Sequence, residues 1–316
     1  MKNNIKNNLY LNNNNNDLLS VDISGIKLQN PFILASGFLG ISQSVFNRLH
    51  KIGLGAIVSK SISLKPREGY KGPTVVSIDE KSYINAIGLA NPGALYFAKE
   101  ISNNTAPLIL SLVGSSQKDF PKLIDKFDKL NILGYEINLS CPHVAKMGME
   151  VGDDPELVKD IIKTIKHKTK KPVIIKVGIG NIDILKLSQV IKDSGADAIT
   201  AINTIRAMSI DYETARPILN NKIGGLSGKS IKPIGIRCVY EIYRNVDIPI
   251  IGCGGIFTWE DVLEYILAGA SAVEIGSAIG YGNINIVKKI TRGLKNYLEK
   301  KGYKNLKEVR GIAHKY

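Results

Sequence analysis

The sequence predicts an α/β chain folded as a (β/α)8, or TIM, barrel with an N-terminal β-hairpin. Short runs rich in β-branched residues recur eight times with helical spacing between them, and polar or glycine residues end almost every run. A doubly wound sheet gives the same alternation, but the first run leads into Ser36-Gly37-Phe38-Leu39-Gly40. That is not the Gly-x-Gly-x-x-Gly turn that opens a dinucleotide-binding sheet.

Residues 1–16 are dominated by asparagine and offer too little apolar surface to offset the entropy of ordering, so they are expected to be a disordered tail. Residues 17–316 are then expected to form a single barrel domain, which needs roughly 250 residues or more. Ser20–Leu28 alternates apolar and polar residues around Ser24-Gly25 and reads as a hairpin able to plug the barrel bottom. The eight expected strands are Phe32–Ala35, Ala56–Val58, Leu108–Val113, Tyr135–Leu139, Val173–Val177, Ala198–Ile202, Ile248–Gly252 and Ala272–Gly276. Helical spacing marks Gln43–Lys51, Phe120–Leu130, Pro155–His167, Ile184–Asp193, Lys232–Arg244 and Trp259–Ala268. Asp154 before Pro155 and Thr258 before Trp259 are good N-caps.

A net charge of +14 would suit a polyanionic partner, and Lys163, Lys166, Lys168, Lys170 and Lys171 are the densest basic run. The lysines are nevertheless spread along the chain without the aromatic interleaving that stacks bases, so the run reads as a solvated helix end and no nucleic-acid partner is expected. Cys141, Cys238 and Cys253 are odd in number and far apart, with no Cys-x-x-Cys pair. That pattern gives no disulfide framework and no metal site, and it fits a reducing cytoplasm. No apolar run approaches the ~20 residues of a membrane span, and the polar N-terminus lacks the apolar stretch of a signal peptide. A phosphate-loop reading of Gly228-Lys229-Ser230 fails because the earlier glycine it needs falls at Ile223.

In such a barrel the chemistry sits at the C-terminal strand ends. There the sequence places Ser36, Lys60, Ser111, Asn138 with Cys141, Lys176, and Asn203 with Thr204, followed by Gly252-Cys253-Gly254-Gly255 and Gly276-Ser277. An ammonium at the end of a buried strand is costly unless an anion meets it, so Lys60 and Lys176 call for bound negative charge. Glycine clusters after the seventh and eighth strands fit a phosphorylated cofactor held by backbone N–H groups. Cys238 and Cys253 read as inert packing; Cys141, among polar neighbours, is open to either packing or chemistry.

Six motifs then carry a resemblance that extends from about Leu19 to near Ile279. They are Asn85-Ala86-Ile87-Gly88-Leu89 with Asn91-Pro92-Gly93, Asn138-Leu139-Ser140-Cys141-Pro142, Ile202-Asn203-Thr204, Gly224-Gly225-Leu226-Ser227-Gly228 and the two glycine clusters. The chain resembles the class 1 dihydroorotate dehydrogenases, FMN enzymes of de novo pyrimidine (UMP) biosynthesis. The resemblance implies FMN contacts from Ser36, Lys60, Ser61, Ser111, Asn138, Lys176, Ile202, Gly228, Gly254, Gly255, Gly276 and Ser277. It implies that Lys60, Asn85, Ala86, Ile87, Gly88, Leu89, Asn138, Asn203 and Thr204 hold the pyrimidine. Asparagine amides supply the donors and acceptors an imide edge needs, and a lysine can meet the orotate carboxylate. Hydride would pass from C6 of dihydroorotate to the flavin, Lys176 would stabilise the negative charge that results, and Cys141 would be the base at C5.

The chain looks most like the NAD-linked class 1B form. That implies a homodimer of this chain joined to an electron-transfer subunit carrying FAD, a [2Fe–2S] cluster and an NAD site, a heterotetramer in all. Two departures stand out: His143 where many members have asparagine, and Ser111 where an asparagine is expected at the flavin. Ser-Cys-Pro-His is similar to the flavin domain of dihydropyrimidine dehydrogenases, which would act on dihydrouracil or dihydrothymine; against it stand the Asn85 to Asn91 loop and the absence of cluster cysteines. A tRNA dihydrouridine synthase, also an FMN barrel with a loop cysteine, would suit the charge, but only about one helix and a basic tail follow Ser277 where its RNA-binding domain is expected.

Overall fold

The computed structural model describes residues 18–114, 116–139 and 151–316. The expected tail, Cys141 and His143 lie outside the described residues. β1 (Val21–Ile23) and β2 (Ile26–Leu28) form the antiparallel hairpin, turning at Ser24-Gly25. The chain continues through β3 (Phe32–Leu34), α1 (Gln43–Lys51) and β4 (Ala56–Val58), then β5 (Val75–Asp79) and β6 (Ser82–Asn85), which pair antiparallel. Next come α2 (Ala94–Glu100), β7 (Leu108–Leu112), α3 (Asp119–Phe127), β8 (Gly134–Asn138), α4 (Pro155–Lys168), β9 (Val173–Val177), α5 (Ile184–Asp193) and β10 (Ala198–Ala201). Four short strands follow: β11 (Ile205–Ala207), β12 (Ile210–Asp211), β13 (Arg216–Pro217) and β14 (Gly224–Gly228). The chain ends with α6 (Lys232–Asn245), β15 (Ile250–Cys253), α7 (Trp259–Ala268), β16 (Ala272–Ile275), α8 (Ser277–Gly280) and α9 (Ile286–Lys301).

Eight of these strands close a parallel barrel in the order β3, β4, β7, β8, β9, β10, β15, β16, with β16 pairing back to β3. They are the eight runs expected from the sequence. A strand buried on both faces needs apolar residues at successive positions, which is why these segments read as unbroken β-branched runs. The helices bury one stripe each. In α4 it is Val158, Ile161, Ile162 and Ile165, at the spacing of one helix face. Asp154 caps α4 by accepting from the Leu157 N–H, and Thr258 opens α7 in a reciprocal capping box with Asp261. Lys166 and Lys168 of the basic run pair with Asp197 and Asp125.

Inside the barrel, Ile33, Val58, Ile109, Ile174, Ala198, Ile251 and Ala272 pack with Ile23, Ile26 and Leu28 of the hairpin into one apolar layer. Because side chains alternate along a strand, the residues two positions further on face the same interior: Lys176, Thr200, Cys253 and Glu274. The second sheet, in the order β11, β14, β6, β5, is not anticipated by the hydrophobic pattern. It seats Asn85 opposite Gly225. Among the described residues no helix is long and apolar enough to cross a membrane, and no cluster of three or more His, Cys, Asp or Glu could hold a metal ion.

Candidate active site

The C-terminal ends of the strands surround a narrow cleft lined by Ser36, Lys176, Ile202, Asn203, Thr204, Gly228, Gly254, Gly255, Gly276 and Ser277, together with Ala35, Phe38, Ser227 and Cys253. Residues more than two hundred positions apart meet there because every barrel strand delivers its last residues to one end. A roomier cleft of about 460 Å³ lies at the opposite end, around Asn30, Gly53, Lys288 and Arg292. Among the described residues, side chains that can bind, ionise and exchange protons converge from several strands at this mouth, which makes it the candidate active site.

A chain of hydrogen bonds fixes the amides at one wall. Asn203 Nδ2 donates to Asn138 Oδ1 at 3.3 Å, Asn138 Nδ2 donates to Ser61 Oγ at 3.0 Å, and Ser61 Oγ meets Ser111 Oγ at 3.0 Å. Asn203 Oδ1 accepts from the Thr204 N–H at 2.8 Å. Asn85 Nδ2 donates to the Gly225 carbonyl at 3.1 Å, and a Cβ on Gly225 would collide with Thr204 Oγ1, so the second sheet brings Asn85 beside Thr204. Ala86 is buried in that sheet's own small core, while the Ile87 carbonyl accepts from the Tyr70 N–H at 3.1 Å. Gly88 packs against Gly69 and Tyr70, and Leu89 accepts from Asn91 Nδ2 at 2.8 Å. Of the expected pyrimidine loop, Asn85 is thus the residue set against Thr204. Ser111 is fully buried, with its hydroxyl 3.0 Å from that of Ser61.

The glycines form the opposite wall. Gly228 and Gly255 have positive φ, +92° and +70°. A Cβ on Gly228 would run into the Lys81 carbonyl, and one on Gly255 would lie 2.6 Å from Lys232 Cβ and 2.9 Å from the Gly228 carbonyl. Side chains are refused at both positions, so bare backbone lines the cleft, as a phosphate cradle requires. The Tyr265 hydroxyl braces this wall by donating to the Gly254 carbonyl at 2.8 Å. Ser277 Oγ donates to Ser227 Oγ at 3.2 Å.

The two lysines differ. Lys60 forms no ion pair among the described residues, and burial lowers its pKa, so an incoming anion would be its compensating charge. Lys176, 3% exposed, already has an anion: its Nζ lies 2.5 Å from Glu274 Oε2 and 3.4 Å from Ser36 Oγ. The expectation that Lys176 calls for a bound anion is corrected to that extent. Burial lowers the Lys176 pKa, but the negative charge of its neighbours reverses this and raises it overall. Cys253 lines the cleft, and burial pushes its thiol up to about 12, leaving it neutral near pH 7. The ion-paired Glu274 carboxylate is therefore what keeps Lys176 charged.

Glu136 and Glu274 are the residues that sequence reasoning missed. Both are 1% exposed, and Thr200 Oγ1 lies between them, 3.2 Å from Glu136 Oε2 and 3.3 Å from Glu274 Oε1. Strand parity was the available signal: Glu136 stands two before Asn138, and Glu274 two before Gly276. Burial, reinforced by the charge of Glu274, raises the pKa of Glu136 well above the usual carboxylate range, which favours its protonated form.

A family model described as "Dihydroorotate dehydrogenase" matches residues 18–298. The chain is similar to the protein named "Dihydroorotate dehydrogenase B (NAD(+)), catalytic subunit" of Pyrococcus furiosus, 43% identical over 299 residues, 94% of this chain and 99% of that protein. The protein of the same name from Archaeoglobus fulgidus is 46% identical over 272 residues, 83% of this chain and 88% of its own length. That of Methanocaldococcus jannaschii is 40% identical over 305 residues, 94% of this chain and 98% of the relative.

Proposed function

Because this chain belongs to the dihydroorotate dehydrogenase family, we propose that the barrel mouth oxidises dihydroorotate to orotate, with FMN as electron acceptor and Cys141 as base. The enzyme is an oxidoreductase acting on a CH–CH bond in pyrimidine biosynthesis. The observation that carries the assignment of the site is that Asn203 and Thr204 line one cleft with the buried Lys176 and a side-chain-free glycine wall, Asn138 being hydrogen-bonded to Asn203 and Asn85 to Gly225.

When bound, FMN supplies a two-electron acceptor at the mouth. Its binding residues would be Ser36, Lys60, Ser61, Asn138, Lys176, Ile202, Gly228, Gly254, Gly255, Gly276 and Ser277; the bare backbone at Gly228 and Gly255 fits a phosphate, and Lys176 fits an electron-rich ring edge. Ser111, hydrogen-bonded to Ser61, would join them. Lys60, without a protein anion among the described residues, would meet the substrate carboxylate. Asn85, Asn138, Asn203 and Thr204 would orient the pyrimidine through their amides and hydroxyl, the hydrogen-bond chain holding each amide the right way round. Ala86, Ile87, Gly88 and Leu89 would shape the loop that presents Asn85. Cys141 would accept the C5 proton as thiolate, so turnover would rise with pH toward an unperturbed thiol value of about 8.5.

The relatives are named as catalytic subunits, which supports a partner for this chain. We infer a homodimer joined to a subunit carrying FAD and a [2Fe–2S] cluster that passes electrons to NAD, working in the cytoplasm.

The test is spectroscopic. Dihydroorotate, dihydrouracil or dihydrothymine is added without oxygen to the flavin-loaded protein. Bleaching by dihydroorotate alone is the expected result; bleaching by dihydrouracil in its place would overturn the substrate assignment.

A further inference from the structure

Around Lys176, beneath the mouth, lies a layer whose other members the reaction described above leaves without a role. Lys176 and Thr200 are register partners on β9 and β10, Glu136 comes from β8 and Glu274 from β16. Among the described residues one cation therefore shares this buried interior with two carboxyls. If both were ionised, the layer would carry an uncompensated buried negative charge, a costly state that proteins avoid by keeping a proton.

The geometry says where that proton is. Thr200 has one hydroxyl hydrogen, yet its oxygen lies within hydrogen-bonding distance of both Glu136 Oε2 and Glu274 Oε1. A hydroxyl can donate only once, so the second contact is favourable only if that carboxyl carries a hydrogen and donates to Thr200. Glu274 is the ion-paired carboxylate, held at 2.5 Å by Lys176. Glu136 is left as the acid, and its Oε1 has no hydrogen-bond partner among the described residues, a position tolerable for a neutral carbonyl oxygen and expensive for an ionised one. Among the described residues the remaining ionisable neighbour is Cys253 on β15, neutral near pH 7, while Ser36 beyond β3 supplies a hydroxyl.

We propose that Glu136 and Glu274 share one proton through Thr200 and act as positioning residues for Lys176, setting how much positive charge it presents at the cleft. Glu274 tempers the ammonium and Glu136 stays neutral, so the layer is balanced before a ligand binds. Negative charge arriving at the mouth is then stabilised by a partly compensated cation. The functional consequence rests on the reading of the mouth as a flavin site; the shared proton does not.

The test uses the flavin-loaded protein and two readouts. Infrared spectra at neutral pH should contain a protonated-carboxyl C=O band that shifts on exchange into deuterium oxide and is lost in Glu136→Gln. The midpoint potential of the bound flavin should rise in Glu274→Gln, where the ammonium loses its counter-charge. It should stay near the unmutated value in Glu136→Gln, whose amide replaces a neutral acid with a neutral group of the same shape. Absence of the band, or an unmoved potential in Glu274→Gln, would overturn the proposal. A chain that takes up no flavin would sink the FMN assignment instead, and the infrared band, measured on that chain, would still decide the question of the proton.

Discussion

The Tyr265 hydroxyl on α7 donates to the Gly254 carbonyl at 2.8 Å, with the Cys253 carbonyl 3.2 Å away, so one phenol holds the end of β15 and the start of the glycine wall. The ring fits only because its neighbours are small: a Cβ on Gly252 or Gly235 would strike it. Tyr265→Phe keeps the packing and removes the donor. The expected result is a loss of about 1 kcal/mol of stability with weaker flavin retention. Thermal melts and flavin content after gel filtration check it; no change in either would mean that the wall is braced elsewhere.

Gly255→Ala places a Cβ 2.6 Å from Lys232 Cβ at a backbone φ of +70°. The chain should fold yet fail to keep its flavin, because the wall must open to admit the methyl group. Gly302→Ala is the matching control, since its φ of +77° imposes similar strain with nothing within 4 Å. Circular dichroism and the flavin absorbance ratio separate the two, and a yellow Gly255→Ala protein would count against the cradle.

Cys141→Ala should retain FMN while reduction by dihydroorotate slows by roughly 10²–10⁴-fold, the usual worth of a positioned base. Stopped-flow absorbance without oxygen measures this, and an unchanged rate would remove Cys141 from the reaction.

Asp261 gives a pH signature in stability. Burial alone would raise its pKa, but Lys232 Nζ at 2.7 Å and the N–H groups of Phe257 and Thr258 hold it below its ordinary 3.8. The folded chain therefore binds fewer protons at this site than the unfolded chain. The stabilisation is fully present above pH 3.8 and is lost as the pH falls through the lower folded value. Asp261→Asn should lower the melting temperature at neutral pH, and the gap should close below about pH 4. Melting curves across that range test it; a gap independent of pH would mean that the ion pair contributes nothing.

The barrel was legible because a parallel strand covered on both faces must be continuously apolar, a pattern that Val173–Val177 and Ala198–Ala201 carry openly. The second sheet was not. β14 is Gly-Gly-Leu-Ser-Gly and β11 only three residues, so neither offers alternation to read, and their pairing with β6 is a tertiary outcome. At the site, Lys176, Asn138 and Asn203 were visible as polar residues ending apolar runs. Glu136 and Glu274 sit one turn of the pleat deeper, where a lone charge in an apolar run looks like an interruption until a strand across the barrel is known to supply its partner.

The hairpin has a consequence for traffic through the molecule. Ile23, Ile26 and Leu28 stopper the far end of the barrel with hydrocarbon, so the buried acid has no aqueous route downward. Whatever leaves or enters Glu136 must travel upward past the lysine and any occupant of the cleft. A seated ligand would then act as a cork, and hydrogen exchange at that carboxyl should be slower in the filled enzyme than in the empty one.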